Sequence, residues 1–510
     1  MAPGRTVGAI IGGVTNVNER WARLSRHKLF KVVPIVLLVV EIVIRIGAVI
    51  AVPRNRRPTA AMAWLMAIFV APIPGTFFFS LFGTTKLPKA RRDKQQEINN
   101  FILETTAGLE LVSKNETWPR WFRSIVELNR TLGAMPLVGG NEVDLLPDYN
   151  ESIAAMTAAV NAAERYVHAE FYILSRDDTT RPFFDALLAA HTRGVTVRVL
   201  YDHISTIRSP KGRATRRWLR ENGIEFHEML PFYPFRSTWR RPDLRNHRKV
   251  LVVDGTVGFM GSQNMIDPSY NTRSNRRVGL QWKDLMVRLE GPIVAGVNAI
   301  FITDWYSETN ELLVREAEPI RQLRSGDTFD CQIVPSGPGF EGENNLRLFN
   351  ALLYAAQQRL VIVSPYFVPD DSMLYAITTA AERGVQVQLF ACEVADQAIV
   401  YHAQRSYYEA LLRAGVRIFL YERPIVLHAK HFTIDDEVAV IGSSNMDMRS
   451  FSLNFEVSLL VRGRRIVDSL REVEDDYRSH SRELLLDEWL QRPVRSQLLD
   501  NVSRLTAAVQ

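Results

Sequence analysis

RNHRKVLVVDGTVGFMGSQN, residues 245–264, decides the fold because the chain carries its pattern twice. His247, Lys249 and Asp254 stand at offsets 0, 2 and 7, and Gly261, Ser262 and Asn264 follow. LHAKHFTIDDEVAVIGSSN, residues 427–445, sets His428, Lys430, Asp435, Gly442, Ser443 and Asn445 at the same offsets. One His-x-Lys would be weak. The same polar residue types at fixed spacing in both copies point to two related units.

Working outward from each copy extends the repeat. ESIAAMTAAVNAAERYVHAEFYIL (151–174) and NNLRLFNALLYAAQQRLVIVSPYFV (344–368) each read as a helix followed by a strand. HTRGVTVRVL and AERGVQVQLF then repeat helix, Arg-Gly-Val, strand. LRENGIEF (219–226) parallels LRAGVRIF (412–419), each upstream of its His-x-Lys segment. A repeat of this length predicts two homologous α/β halves. Alternating strands and helices predict mostly parallel sheets flanked by helices.

The N-terminal region has a different composition. Residues 32–52 and 60–83 are apolar runs, each long enough to cross a bilayer as a helix. Glu41 and Arg45 interrupt the first at i and i+4, where they can neutralise each other. Pro72, Pro74 and Gly75 predict a kink or break in the second. The expectation is a transmembrane hairpin. Five cations lie close before it (Arg20, Arg23, Arg26, Lys28, Lys31), and five close after it (Lys86, Lys89, Arg91, Arg92, Lys94). Its loop carries three, Arg54, Arg56 and Arg57, so both ends are expected in the cytoplasm.

Charge separates the same regions. Residues 1–117 hold 16 Lys and Arg against 7 Asp and Glu, a net +9, which leaves the rest of the chain at −3. Excess beside apolar segments suits anionic lipid head groups. A nucleic-acid enzyme would carry its excess over the folded domain, so no nucleic-acid partner is expected. With two cysteines, Cys331 and Cys392, thiol chemistry and a disulfide framework are not expected.

The chemistry follows from the paired motifs. Residues two apart in a strand share a face, so each His projects with its Lys. Two facing units give two histidines, two lysines, and the pairs Ser262, Asn264 and Ser443, Asn445, a set suited to phosphate. One histidine can attack phosphorus and the other protonate the leaving alkoxide. The lysines stabilise developing charge. Asp254 and Asp435 complete the catalytic motif; their odd offset from the lysine predicts a structural role in holding the turn. A nucleophilic histidine needs its second nitrogen held by an acceptor. Asp284, in QWKDLMVRL, is assigned to His247, and Glu456, in SLNFEVSLL, to His428. Neither a metal nor an organic cofactor is expected. His27, His168, His191, His203, His227, His402, His431 and His480 are read as surface or structural residues.

HRKVLVVD and HAKHFTID, each followed by Gly-Ser-x-Asn, resemble the two HKD motifs of the phospholipase D superfamily. RSYYEALLRAGVRIF (405–419), SSNMDMRSFSLNFE (443–456) and the N-terminal apolar region resemble bacterial cardiolipin synthases of that type. The first half departs with GSQNMIDPSYN, where such synthases usually show Gly-Gly-x-Asn and an acidic pair. The resemblance implies a phosphohistidine, with His247 as nucleophile and His428 as general acid. It implies two phosphatidylglycerol molecules giving cardiolipin and glycerol at a bacterial inner membrane. Hydrolysis of a lipid or nucleic-acid phosphodiester, transfer to another alcohol, and a non-catalytic scaffold are the alternatives.

The expected divisions are a basic segment (1–31), the hairpin (32–85), a connector (86–135), the halves (136–325 and 326–483) and a helical tail (484–510). PFYPFRSTWRRPDLR (231–245) mixes Phe232, Tyr233, Phe235 and Trp239 with Arg236, Arg240, Arg241 and Arg245, which suits a membrane interface.

Overall fold

The structure is a computed structural model that describes residues 33–54, 56–83, 87–107, 118–232, 241, 243–313, 328–394 and 397–505. The basic segment 1–31, Lys86, and Tyr233, Phe235, Arg236, Trp239 and Arg240 of the aromatic stretch lie outside the described residues. The chain divides into two compact units, Met1–Thr84 and Thr85–Gln510.

In the first unit, the helix Val33–Ala51 is the one described helix long and apolar enough to cross a membrane. Arg45 Nη2 lies 3.2 Å from Glu41, the pairing its spacing predicts. The second apolar run is not a single spanning helix. It forms two helices, Pro58–Val70 and Pro72–Phe82, broken at Ala71. Proline at the start of a helix is tolerated, whereas inside one it removes a hydrogen bond, so Pro72 starts a new helix. Trp64 and Phe79 pack edge to face at 5.5 Å, so the second short helix folds back on the first. Gly75 permits this, because a Cβ there would lie 2.8 Å from the Ala67 carbonyl.

The second unit is built on one continuous sheet. Its first half runs, in spatial order, Leu137–Leu146, Met286–Glu290, Val257–Gly261, Lys249–Val253, Tyr166–Phe171, Thr196–Asp202, Glu225–Met229. The second half repeats this with Phe329–Ser336, Asn454–Arg462, Val438–Gly442, His431–Ile434, Arg359–Val363, Gln386–Cys392, Arg417–Tyr421, and adds Ser481–Leu484 at its edge. Leu137–Leu146 pairs with Met286–Glu290 and with Phe329–Ser336, joining the halves. A core cluster containing Val250, Leu289, Val297, Val361, Phe390 and Val457 spans both.

The two α/β halves are present, but the sheet is mixed rather than mostly parallel. Among the long strands, parallel pairing joins those connected by helices, Tyr166–Phe171 with Thr196–Asp202 with Glu225–Met229, and their counterparts. The motif strands pair antiparallel with the strands that follow. Three residues separate them, Asp254 to Thr256 in one half and Asp435 to Glu437 in the other, too few for a crossover.

Local signals explain the elements. Asp148 accepts from the backbone N–H of Asn150 and Glu151 and starts the helix Tyr149–Asn161. The Arg-Gly-Val phrases end their helices: Gly194 and Gly384 have φ of 91° and 94°, where glycine is favoured. The next residues, Val195 and Val385, are buried. The connector is part of the second unit. Its helix Lys89–Thr105 sets Arg91 2.5 Å from Glu308, and Asn129 on Arg120–Gly133 donates to Gln332 at 3.0 Å. Both cysteines are buried as free thiols.

Candidate active site

Each histidine sits where its segment leaves its own half. Arg245–Asn246 pairs in parallel with Asn454–Phe455, and the His247 N–H donates to the Phe455 carbonyl at 2.9 Å. Ile425–Leu427 pairs in parallel with Gln281–Lys283, and the His428 N–H donates to the Lys283 carbonyl at 2.7 Å. The residue after each accepting carbonyl is the acid.

That register corrects the expected acid assignment. His247 Nδ1 lies 3.0 and 3.1 Å from the two carboxylate oxygens of Glu456, and 3.1 Å from the Ser443 carbonyl. His428 Nδ1 lies 2.6 Å from Asp284 Oδ1. Each histidine takes its acid from the other half, because the segment entering the motif pairs with a strand of that half.

The serines hold these acids. Ser262 donates to Asp284 at 2.6 Å and Ser443 to Glu456 at 2.5 Å. With those hydrogens engaged they orient carboxylates, and the phosphate-binding expectation for them is corrected. The preceding glycines allow the approach. A Cβ at Gly261 would stand 2.3 Å from the Leu285 carbonyl, and one at Gly442 2.4 Å from that of Val457. Asn264 is also engaged, donating to the Tyr270 hydroxyl at 2.8 Å and accepting from the Ile173 N–H at 3.2 Å. Asn445 is buried, and its Oδ1 has no hydrogen-bond partner among the described residues.

Lys249 and Lys430 are buried and donate back to the carbonyls of His247 and His428, each at 2.5 Å. Asp254 and Asp435 belong to the motif but lie outside the reacting centre, in the turn-holding role that their odd offset predicts. Five residues of strand carry each about 17 Å beyond its lysine. There Asp254 accepts from the backbone N–H groups of Glu164, Arg165 and Tyr166, each at 2.8 Å. Asp435 does the same for Gln357, Gln358 and Arg359. Both have positive φ, 52° and 50°, as the turn requires.

Electrostatics differ between the two pairs. Burial, then the charges of Lys249, Lys430 and His428, hold His247 well below its ordinary pKa. Burial and Lys430 lower His428, while Asp284 pulls it back upward. Burial pushes Glu456 up to about 7. Burial acts in the same sense on Asp284, but His428, its hydrogen bond and Lys430 outweigh it and hold that carboxyl at about 2. Burial lowers Lys430 to about 8 and Lys249 well below the usual lysine range. Two lysines and two histidines gathered out of water make a site for an anion.

Several contributors were not singled out from sequence. The Tyr172 ring lies 4.7 Å from His247, with the Lys249 ammonium 5.1 Å from its centroid. Tyr366 stands 6.3 Å from His428. The signal was the tyrosine shared by FYIL and PYFV in the repeat. Behind His247, Arg248 pairs with Asp304 at 2.5 Å, and Asn246 donates to Glu170 at 2.5 Å. Arg245 does not face a membrane; it is buried against Asp202 at 3.2 Å. His168 meets Asn298 at 2.8 Å, and His203 meets Glu228 at 2.8 Å.

The family described as "Cardiolipin synthase, PLD-like domain" matches residues 156–305 and 349–476, the two halves of this site. The chain belongs to that family. It is 33% identical to cardiolipin synthase A of Proteus mirabilis over 89% of this chain and 94% of that protein. It is 32% identical to the cardiolipin synthase of Alkalihalophilus pseudofirmus, over 91% of each. The crystal structure of phosphatidylserine synthase from Haemophilus influenzae superimposes with a TM-score of 0.57 at 16% identity, covering 77% of this chain and all of that one. That likeness establishes a common fold. The PLD-like family match thus spans both histidine segments and both acids.

Proposed function

We propose that the protein joins two phosphatidylglycerol molecules into cardiolipin and releases glycerol. The observation that carries this reading is the paired site, two buried histidines each held at Nδ1 by a carboxylate of the opposite half, beside two buried lysines. The cardiolipin synthases that resemble the chain supply the substrate class.

His247 is the nucleophile. Its Nδ1 faces a backbone carbonyl as well as Glu456. A carbonyl only accepts, so the hydrogen sits on Nδ1 and the Nε2 lone pair is free. Nε2 attacks phosphorus and the bond to the glycerol oxygen breaks. His428, made more basic by Asp284, gives its proton to that oxygen, and glycerol leaves. The now neutral His428 takes the proton of the second lipid's hydroxyl as its oxygen attacks phosphorus. The P–N bond breaks and His247 is restored. Lys249, Lys430 and the Asn445 amide stabilise the phosphoryl oxygens. Tyr172 and Tyr366 flank the histidines and limit water.

The divisions 1–31, 32–85, 86–135, 136–325, 326–483 and 484–510 are retained as functional segments. We also propose that both ends of the apolar region face the cytoplasm of a bacterial inner membrane. The support is the excess of cations on its flanks over its loop. Labelling of cysteines placed in each flank from intact cells tests it, and labelling of either flank from outside would refute it.

The test of the reaction is a product assay on detergent-solubilised protein with phosphatidylglycerol. Cardiolipin and glycerol are expected, and both are lost in His247→Ala and His428→Ala. Phosphatidic acid alone would replace the acceptor by water and overturn the transferase reading.

A further inference from the structure

The C-terminal helix Val494–Arg504 is inside out. Its polar face is buried and its apolar face looks outward. Asp500 is buried at the centre of the inner face, 2.7 Å from His402 Nδ1, 3.3 Å from Arg405 Nε and 3.5 Å from Arg492 Nη1. Ser496, on the same face, accepts from Arg405 at 3.1 Å. On the outer face Val494, Leu498, Leu499, Val502 and the C-cap Leu505 are between 53% and 82% exposed. At 100° per residue, these five fall within an arc of about 140°.

A soluble surface helix has the opposite arrangement. The buried ion cluster fixes which face is turned in, so the helix is not free to roll its leucines toward the core. The outward face carries Arg495 within the apolar arc, Arg504 turns instead onto the Tyr407 ring at 4.6 Å, and the helix exposes no carboxylate. Long arginine stems lie along apolar surface while their heads reach outward to phosphate. A two-fold contact with a second copy would set Arg495 near its own counterpart, whereas an anionic surface complements it.

We propose that this helix is a second membrane contact, lying in the head-group layer of an anionic bilayer with its apolar face inserted about 5–10 Å. The chain also carries the apolar helix Val33–Ala51, so a bilayer is always at hand. Two modest attachments hold a protein at a membrane far better than one. This inference does not depend on which alcohol is the acceptor.

The test uses the full chain in vesicles of phosphatidylcholine, with or without phosphatidylserine. An environment-sensitive fluorophore is attached at Leu498→Cys, at Val502→Cys, or at the exposed Glu382→Cys as reference; the two native cysteines are buried. Nitroxide-bearing lipids are expected to quench the labels at 498 and 502, more strongly with phosphatidylserine, and to spare the label at 382. Arg495→Glu is expected to weaken docking about fivefold. Quenching of the 498 label by aqueous iodide alone, in both vesicles, would overturn the proposal. So would self-quenching between labels without lipid quenching, which would put a second copy on this face. Equal lipid quenching with and without phosphatidylserine would remove the anionic recognition.

Discussion

The two histidine sites are made of the same parts in the same order, yet their carboxylates are driven in opposite directions. Asp284 meets His428 through one oxygen at 2.6 Å and is held at about 2. Glu456 meets His247 through both oxygens and is pushed up to about 7. The first half also stacks buried charge behind its histidine, in Arg248, Asp304 and Glu170, where the second half has Ala429 in place of Arg248. Burial and the neighbouring Asp304 push the Glu170 carboxyl well above its usual range. An always ionised partner favours an imidazolium, and a partner on the edge of ionisation favours a neutral imidazole. On the proposed mechanism, the repeat yields an acid and a nucleophile from one template.

The largest test separates these roles. With a substrate whose leaving group needs no proton, such as a nitrophenyl phosphodiester, His428→Ala should recover most of its loss. With the natural lipid that loss is expected to be about 10²- to 10⁴-fold. His247→Ala should remain inactive on both. Recovery in His247→Ala instead would exchange the roles.

The pH profile tests the acids next. Activity should rise through about pH 7 as Glu456 ionises and fall above about 8 as Lys430 loses its proton. Glu456→Gln should abolish the acid limb. Asp284→Asn should lower the rate about 10²-fold without moving that limb, since Asp284 is already ionised there. A limb that persists in Glu456→Gln would assign it elsewhere.

Stability should split the same way. The folded-state pKa of Glu456 lies above its unfolded value, so its contribution is full at low pH and lost as pH rises through about 7. Asp284 is depressed, so its contribution is present at neutral pH and lost as pH falls toward about 2. In thermal unfolding at pH 8, Glu456→Gln should raise the midpoint and Asp284→Asn should lower it. Shifts of the same sign would break the comparison.

The smallest effect belongs to the serines. Ser443→Ala and Ser262→Ala each remove one hydrogen bond to a buried acid and should slow the reaction about tenfold. Ser443→Ala alone should move the acid limb upward, because Ser443 helps to hold Glu456 ionised.

Much of this site was legible in residue spacing. The offsets identified both histidines and both lysines, the strand-like runs after the motifs supplied both acids, and the Arg-Gly-Val phrases marked the helix ends. The exchange of acids was not legible, because Arg245–Asn246 finds Asn454–Phe455 more than 200 residues away with no local signal. The mixed sheet could have been read from the three residues after Val253 and Ile434, which only a hairpin can use. The second apolar run misled because composition measures length, whereas Pro72 and Gly75 decide direction.

The exchanged acids bear on how the protein is made. A ribosome that has finished residue 325 has produced His247, Lys249 and Asp284, but not Glu456, and the His428 that Asp284 serves is also still to come. A nascent chain already threaded into lipid therefore holds no assembled phosphoryl-transfer centre. The centre is complete only when the strands of the second half join the sheet and bring His428 and Glu456 against the first half.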